Sequence, residues 1–354
     1  MTIPFILRRI TLGFSVLTCM SMAACTAQTA QTEIRAEDTS IEQTSLQTTG
    51  TSTERLQLPI PTVEVITQLP NFGEGVVFDR EGRLFVSSPF TNSVLLINET
   101  GEPQVWSEVE NPNGHKVLAD GTHVVMERAE SGGQVTFISP DGDVLRRISQ
   151  DEQGQPLQEP NDIAVDLVND GFYFTAPGPF QGNTPGRIHY VDAEGSVCTV
   201  SDGEVDFPNG IVLRPDGRTL LVAESLQNRV LKFEVEAPCE LSGPEVFAVL
   251  PSHPNRWTNG EAEPDGIALD ESGNLYVAHF GAGLIRVFNP SGDLLGSLDT
   301  NASSITNLGF NSTNLSELFV YAANGNSLEE IEQGGRIIRI TLPETQGLLL
   351  FPPE

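Results

Sequence analysis

Six short polar openings recur along the chain, and their oxygen atoms are the first feature that could do chemistry. Glu74-Gly75, Asn113-Gly114, Asn161-Asp162, Asn209-Gly210, Asp265-Gly266 and Thr306-Asn307 each precede a short apolar run. Five of the six opening residues are carboxylates or amides, and the sixth is a hydroxyl. Brought around one point, they would form a ring of oxygen donors with two negative charges. Such a ring suits a hard cation of the calcium type, which takes six to eight oxygens from Asp, Glu, Asn and water. Zinc prefers histidine or cysteine, and neither stands at these positions. Any single Asn-Gly or Asp-Gly is equally a loop end before a strand. The recurrence at one repeat position is what lifts the set above that reading.

The elements that would bring the openings together follow from the repeat. After the polar opening comes an apolar strand, then a turn glycine, then a second strand. Gly82, Gly121, Gly217 and Gly273 each fall eight residues after their opening residue, whereas Gly171 falls ten after Asn161. Openings recur roughly every 40 to 55 positions, the period of four-stranded propeller blades. The pattern predicts an all-β, six-bladed β-propeller with strand A of each blade innermost. The first blade is expected near residues 75–79, 83–88, 93–98 and 103–107. The sixth ends on Arg336 to Leu342 without a fourth strand of its own. Thr62 to Leu69 has strand composition and no blade, so it is expected to pair with the last blade and close the ring, removing an exposed edge. In this architecture the opening residues share one mouth of the central channel.

Outside the repeats, residues 1–25 combine Arg8 and Arg9 with an apolar run too short for a membrane span, as in a secretory signal. Met22-Ala23-Ala24-Cys25 resembles a bacterial lipobox, which implies an exported protein, periplasmic or at the cell surface, anchored by lipid at Cys25. Simple cleavage would give a free secreted form instead. Residues 26–58, rich in Thr, Gln, Glu and Ser, have the composition of a flexible tether. The propeller is expected over 59–345, and a short tail over 346–354. The formal net charge of −29 argues against nucleic acid as partner and favours cations near the surface. No obligate protein partner is expected, and the membrane enters only through the lipid anchor. Cys198 and Cys239 fall late in adjacent blades and could pair in an oxidising compartment. With no CxxC or nearby His pair they make a poor metal site.

Glu74-Gly75, Pro160-Asn161-Asp162, Pro208-Asn209-Gly210 and Pro264-Asp265-Gly266, in this order, resemble the SMP-30/gluconolactonase family of six-bladed, metal-dependent lactonases and esterases. The likeness spans about Val63 to Leu342, and NDGFYFTAPGPFQGNTPGRIHYVDAEG is similar to the bacterial drug-responsive lactonase branch. The resemblance implies that Glu74, Asn161, Asn209 and Asp265 ligate one divalent ion, Ca²⁺ first and Mn²⁺, Mg²⁺ or Zn²⁺ as alternatives. It also casts Asp265 as general base or nucleophile, and the sequence does not separate the two roles. In the animal gluconolactonases an arginine two residues before the first amide ligand grips the sugar. Glu159 stands there in this chain, which puts sugar lactones in doubt as substrates.

Asn113, Asn161, His279, Trp257 and Phe180 are the substrate-binding candidates. His279 is expected just past strand B of blade five and facing the mouth, while Phe180 and Trp257 sit in loops expected to wall the pocket. His115 is lining at best. No G-x-S-x-G elbow supports a serine hydrolase. Two further readings stand beside lactone hydrolysis: a non-catalytic, calcium-stabilised binding or scaffold propeller, and an organophosphate hydrolase using the same oxygens.

Overall fold

A computed structural model describes residues 61–179, 186–255, 260–325, 330 and 333–349. The expected signal, lipobox and tether lie outside the described residues, as do Phe180 and Trp257. Blade one comprises β2 (Glu74–Phe78), β3 (Leu84–Ser88), β4 (Ser93–Ile97) and β5 (Pro103–Glu108), with the closing strand β1 (Thr62–Leu69) preceding it in the chain. Blade two holds β6 (Pro112–Val117), β7 (His123–Ala129), β8 (Gly132–Ile138) and β9 (Val144–Ile148). Blade three holds β10 (Ile163–Asp166), β11 (Gly171–Ala176), β12 (Arg187–Val191) and β13 (Val197–Asp202). Blade four runs β14 (Pro208–Leu213), β15 (Thr219–Glu224), β16 (Arg229–Ala237) and β17 (Glu240–Val249). Blade five runs β18 (Glu263–Leu269), β19 (Leu275–Phe280), β20 (Leu284–Phe288) and β21 (Leu294–Asp299). Blade six has β22 (Ser304–Phe310), β23 (Glu317–Ala323) and β24 (Gly335–Thr341).

Each blade is a four-stranded antiparallel sheet in chain order, and β1 supplies the outermost strand of blade six. The closing pair runs from Thr62 opposite Thr341 to Leu69 opposite Gly335, so the N-terminal strand closes the ring. The six first strands touch their neighbours in an unbroken circle, β2 against both β6 and β22. The second strands are almost wholly buried, as in GFYFTA of β11 and TLLVAE of β15, because both of their faces meet neighbouring blades. The outer strands β5 and β9 are largely exposed.

The core lies between blades rather than inside any one of them. Val124, Met126 and Phe137 of blade two, for example, pack with Phe172 and Phe174 of blade three. Each such side chain contributes about 1.5–3 kcal/mol by leaving water. The turn glycines Gly82, Gly121, Gly217 and Gly273 take φ between 69° and 84°, as the repeat predicted. In blade three Asp170 takes the left-handed position instead (φ 55°), and Gly171 is pressed against the Tyr190 ring. The left-handed residue thus falls nine positions after Asn161, one more than in the other four units, and Gly171 begins β11.

Two features close the periphery. Cys198 and Cys239 form a disulfide that joins β13 to the β16–β17 hairpin. Residues 346–349, expected as a tail, lie against the channel end remote from the opening residues. The Leu348 amide donates to the Leu269 carbonyl at 3.0 Å, and Leu348 and Leu349 line an apolar void of about 60 Å³ there.

Candidate functional site

The opening residues reach the channel because the first strands are irregular where they begin. Pairing with the second strand slips between Glu74 and Val77, Pro112 and His115, Pro208 and Ile211, Pro264 and Ile267, and Ile305 and Leu308. In blade three regular pairing starts only at Ile163. A bulge re-aims side chains that a flat ladder would point into the blade.

The glycines after the openings serve a purpose other than turning. A Cβ on Gly114 would lie 2.3 Å from the Asn161 carbonyl oxygen, and one on Gly210 would lie 2.2 Å from that of Asp265. A Cβ on Gly75 would lie 2.4 Å from the Asn113 carbonyl. Each glycine therefore lets the next blade's opening residue approach the axis. The Gly114 amide donates to the Asn161 carbonyl at 2.7 Å, which ties neighbouring openings together. Asp162 and Asn307 replace glycine in blades three and six, and both are buried. Asn307 spends its side-chain oxygen on the Val76 amide, at 3.1 Å.

Three of the openings are preceded by a corner under strain. Asn111, Glu159 and Phe207 each stand before a proline with φ between 46° and 59°, in the left-handed region. For a bulky residue such as Phe207 that conformation costs about 1–2 kcal/mol. The corner turns the chain inward just before Asn113, Asn161 and Asn209.

The result is one cavity of about 320 Å³ at the channel mouth. Glu74, Asn113, Asn161, Asn209 and Asp265 all line it. Phe72, Phe90, Phe207 and Phe280 supply apolar wall, and Arg128 and Glu263 add charge. Glu74, Asn113 and Asn161 are buried at 6–8% exposure, while Asn209 and Asp265 are half-buried. Thr306 is buried and does not line the cavity; its hydroxyl donates to the Gly73 carbonyl at 3.2 Å and sits against Glu74.

Electrostatics separates this ring from ordinary loop ends. Burial first, and then the neighbouring Asp265, push the Glu74 carboxyl well above the usual carboxylate range. Burial, followed by Asp162 and Glu263, does the same to Asp265, opposed by a hydrogen bond from Asn209 and by Arg128. Asp162 is raised mainly by burial and pulled back by Lys116. Two carboxylates held together away from water are costly unless something positive joins them.

The donor set fits a hard divalent cation: two carboxylates and two amides, all oxygen, converging on one cavity. Among the described residues no group of three or more His, Cys, Asp or Glu is placed to hold a metal.

The structure does not bring His279 to the cavity. It lies within β19, fully buried, with Nε2 3.2 Å from Asn228 Oδ1 and Nδ1 accepting from Arg286 Nε at 3.1 Å. Burial holds its pKa down to about 4. β19 runs on to Phe280, so His279 is paired on both sides, opposite Pro264 and Leu284, instead of standing past the strand end. His115 does not line the mouth either; its Nε2 meets His123 Nδ1 at 2.8 Å between blades one and two. The sequence reading missed Arg128, Glu263 and the four phenylalanines. Glu263 could have been found, since it stands two residues before Asp265 in the same repeat. Arg128 stands next to last in a second strand and had no motif to mark it.

A family model described as the SMP-30/Gluconolactonase/LRE-like region matches residues 72–324. Lactonase drp35 of Staphylococcus aureus (strain USA300) is 31% identical over 231 residues, covering 64% of this chain and 68% of its own. Lactonase drp35 of Staphylococcus saprophyticus is 28% identical over 250 residues, covering 68% and 75%. A gluconolactonase structure from Xanthomonas campestris superposes with a TM-score of 0.67 at 21% identity, over 83% of this chain and 94% of its own. Regucalcin, a calcium-binding protein from Agrobacterium tumefaciens, superposes with a TM-score of 0.66 at 18% identity, over 83% and 96%. At such identities the structural likeness shows the fold alone.

Proposed function

The chain belongs to the SMP-30/gluconolactonase/LRE-like family, and from that premise we propose that it hydrolyses lactones or related esters at the channel mouth. Its cofactor in this reading is one divalent cation, Ca²⁺ by preference, held by Glu74, Asn161, Asn209 and Asp265. The observation that carries the proposal is the convergence of two carboxyls, Glu74 buried and Asp265 half-buried, and two amides on one cavity. The lactonase activity named for the drp35 relatives supports the reaction class.

A bound divalent cation supplies Lewis-acid polarisation of the ester carbonyl and stabilises the charge that develops on its oxygen. In this reading Asp265 takes a proton from water or attacks the carbonyl carbon. Asn209 donates a hydrogen bond to Asp265 and fixes its orientation. Asn161 and Asn113, buried residues that line the cavity, offer amide groups to orient the substrate's oxygens. The four phenylalanines limit water and favour a substrate with an apolar body beside the ester, rather than a polyhydroxylated sugar lactone. Water adds to the carbonyl carbon, the ring C–O bond breaks, and a hydroxy acid leaves.

The localisation proposed is extracytoplasmic, with a lipid anchor at Cys25. The Cys198–Cys239 disulfide supports an oxidising compartment.

Asp265→Asn tests the assignment. The change keeps the shape and an acceptor for Asn209 while removing the charge. Turnover of simple γ- and δ-lactones should fall about 10²–10⁴-fold, with the circular dichroism spectrum and cooperative melting unchanged. Full activity in this variant would remove Asp265 from the mechanism.

A further inference from the structure

Arg128 is the penultimate residue of β7, and its backbone is fixed on both sides. Its amide donates to the Asn111 carbonyl at 3.1 Å, and the Asn111 side chain donates back to its carbonyl at 3.1 Å. The side chain lines the cavity beside the ring. Its Nε is sealed from solvent, and the guanidinium forms no hydrogen bond or ion pair with the described residues.

Every other arginine that is not exposed, among the described residues, donates to a partner. Arg83 pairs with Asp79, Arg187 with Asp202, Arg229 with Glu224 and Arg339 with Glu64. Arg286 bonds His279 and Ser297, while Arg80, Arg214 and Arg336 reach backbone carbonyls. Glu159, Glu74 and Asp265 favour the charge of Arg128 from a distance without bonding it. A desolvated cation with an open fork of donors is costly to keep without an acceptor. The acceptor must therefore come from whatever enters the cavity.

We propose that Arg128 binds a carboxylate in this pocket and so helps to set which molecules the site accepts. A planar guanidinium with parallel N–H groups matches the two oxygens of a carboxylate in bidentate fashion. That carboxylate has two sources. Ring opening by water creates one from a neutral lactone, releasing one proton. Alternatively, the substrate carries a carboxylate away from the scissile ester. The second source would make acidic lactones the preferred class. The proposal deepens the hydrolase reading, but the binding it predicts does not require turnover.

The test is calorimetric binding of 4-hydroxybutyrate, an opened γ-lactone, to wild type, Arg128→Gln and Arg128→Lys. It is run on chelator-treated protein and again with Ca²⁺, which separates the Arg128 contribution from binding to the cation. Arg128→Gln should weaken binding about tenfold to a hundredfold, the loss of a charge-assisted pair. Arg128→Lys keeps the charge without the fork and should lose an intermediate amount. Melting temperature should hold or rise in Arg128→Gln, because an unpaired, half-buried cation is removed.

Kinetics then separates the sources. If the product carboxylate is the ligand, γ-butyrolactone turnover changes in Arg128→Gln and product inhibition weakens. If a substrate carboxylate is the ligand, KM rises only for a γ-lactone bearing a ring carboxylate. The proposal is overturned if wild type shows no carboxylate binding at millimolar concentration, or if Arg128→Gln and Arg128→Lys bind as wild type does. A fall in melting temperature with carboxylate binding unchanged would make Arg128 a structural counter-charge, and would overturn it too. Loss of carboxylate binding in a protein that opens no lactone would leave the Arg128 site standing and sink only the hydrolase reading.

Discussion

Gly210→Ala should disable the site without touching any substrate. Gly210 precedes no turn and needs no unusual backbone, so the added methyl acts through space alone. Its Cβ would lie 2.2 Å from the Asp265 carbonyl oxygen and 2.9 Å from Gly266 Cα. Relief to an ordinary contact of 3.4 Å requires the two first strands to separate by roughly 1.2 Å. Backbone atoms on both sides oppose that movement, unlike the tip of a flexible side chain. Overpacking of this kind costs about 1–3 kcal/mol, which for a domain of this size lowers the melting temperature by about 2–10 °C. The displaced group is Asp265 itself, and a misplacement near 1 Å costs about a hundredfold in rate. Lactone hydrolysis followed by acid release, with melting measured in parallel, gives both numbers. Gly154→Ala serves as the control: it lies at a positive φ with nothing within 4 Å of its added carbon, so it should cost some stability and no activity. If Gly210→Ala retained full turnover and its melting temperature, the close approach of neighbouring openings would not be what places the ring.

Three further outcomes follow from the geometry. In metal-free protein the folded state holds protons on Glu74, Asp265 and Asp162 more tightly than the unfolded chain, since all three are raised by burial. Their contribution to stability is complete below the unfolded values near 4 and is lost as pH rises through the raised folded values. A melting series on chelated protein should therefore fall from about pH 5 upward, and saturating Ca²⁺ should flatten it; a rise over that range would refute the sign. Reducing the Cys198–Cys239 bond, with its separation of 41 residues, should cost at most about 4 kcal/mol. It should leave turnover unchanged at permissive temperature, because the bond sits among outer strands, so a parallel loss of activity would contradict that placement. Phe207→Gly should relieve the left-handed strain yet raise KM for lactones with an apolar body; an unchanged KM would remove Phe207 from the pocket wall.

Much of this was legible because a propeller writes its geometry as a period. Gly82, Gly121, Gly217 and Gly273 marked the turns, and the unpaired strand Thr62–Leu69 had one edge to go to, which it takes. Glu74, Asn113, Asn161, Asn209 and Asp265 were grouped by repeat position alone, and they share one cavity. What the pattern hid is three-dimensional. Gly114 and Gly210 look like turn residues, but their role is contact with the next blade's backbone, which no local spacing encodes. β19 also runs one residue beyond His279, which leaves that side chain buried between Asn228 and Arg286 instead of at the mouth. Arg128 stands alone in its strand, and only the folded ring reveals that its guanidinium enters the same cavity without a partner. The run Gln346–Leu349 reads as a tail, yet its backbone bonds to blades five and six give it a place at the far end of the channel.

The most direct test of the central claim begins with the purified protein stripped by chelator. Acid release from a panel of γ- and δ-lactones is followed without metal and with added Ca²⁺, Mn²⁺, Mg²⁺ or Zn²⁺. Hydrolysis should disappear on stripping and return with an oxygen-preferring cation, Ca²⁺ foremost. If the cation raised the melting temperature while no lactone or ester turned over, the ring would be a structural calcium site in a binding module, and the hydrolase account would fail.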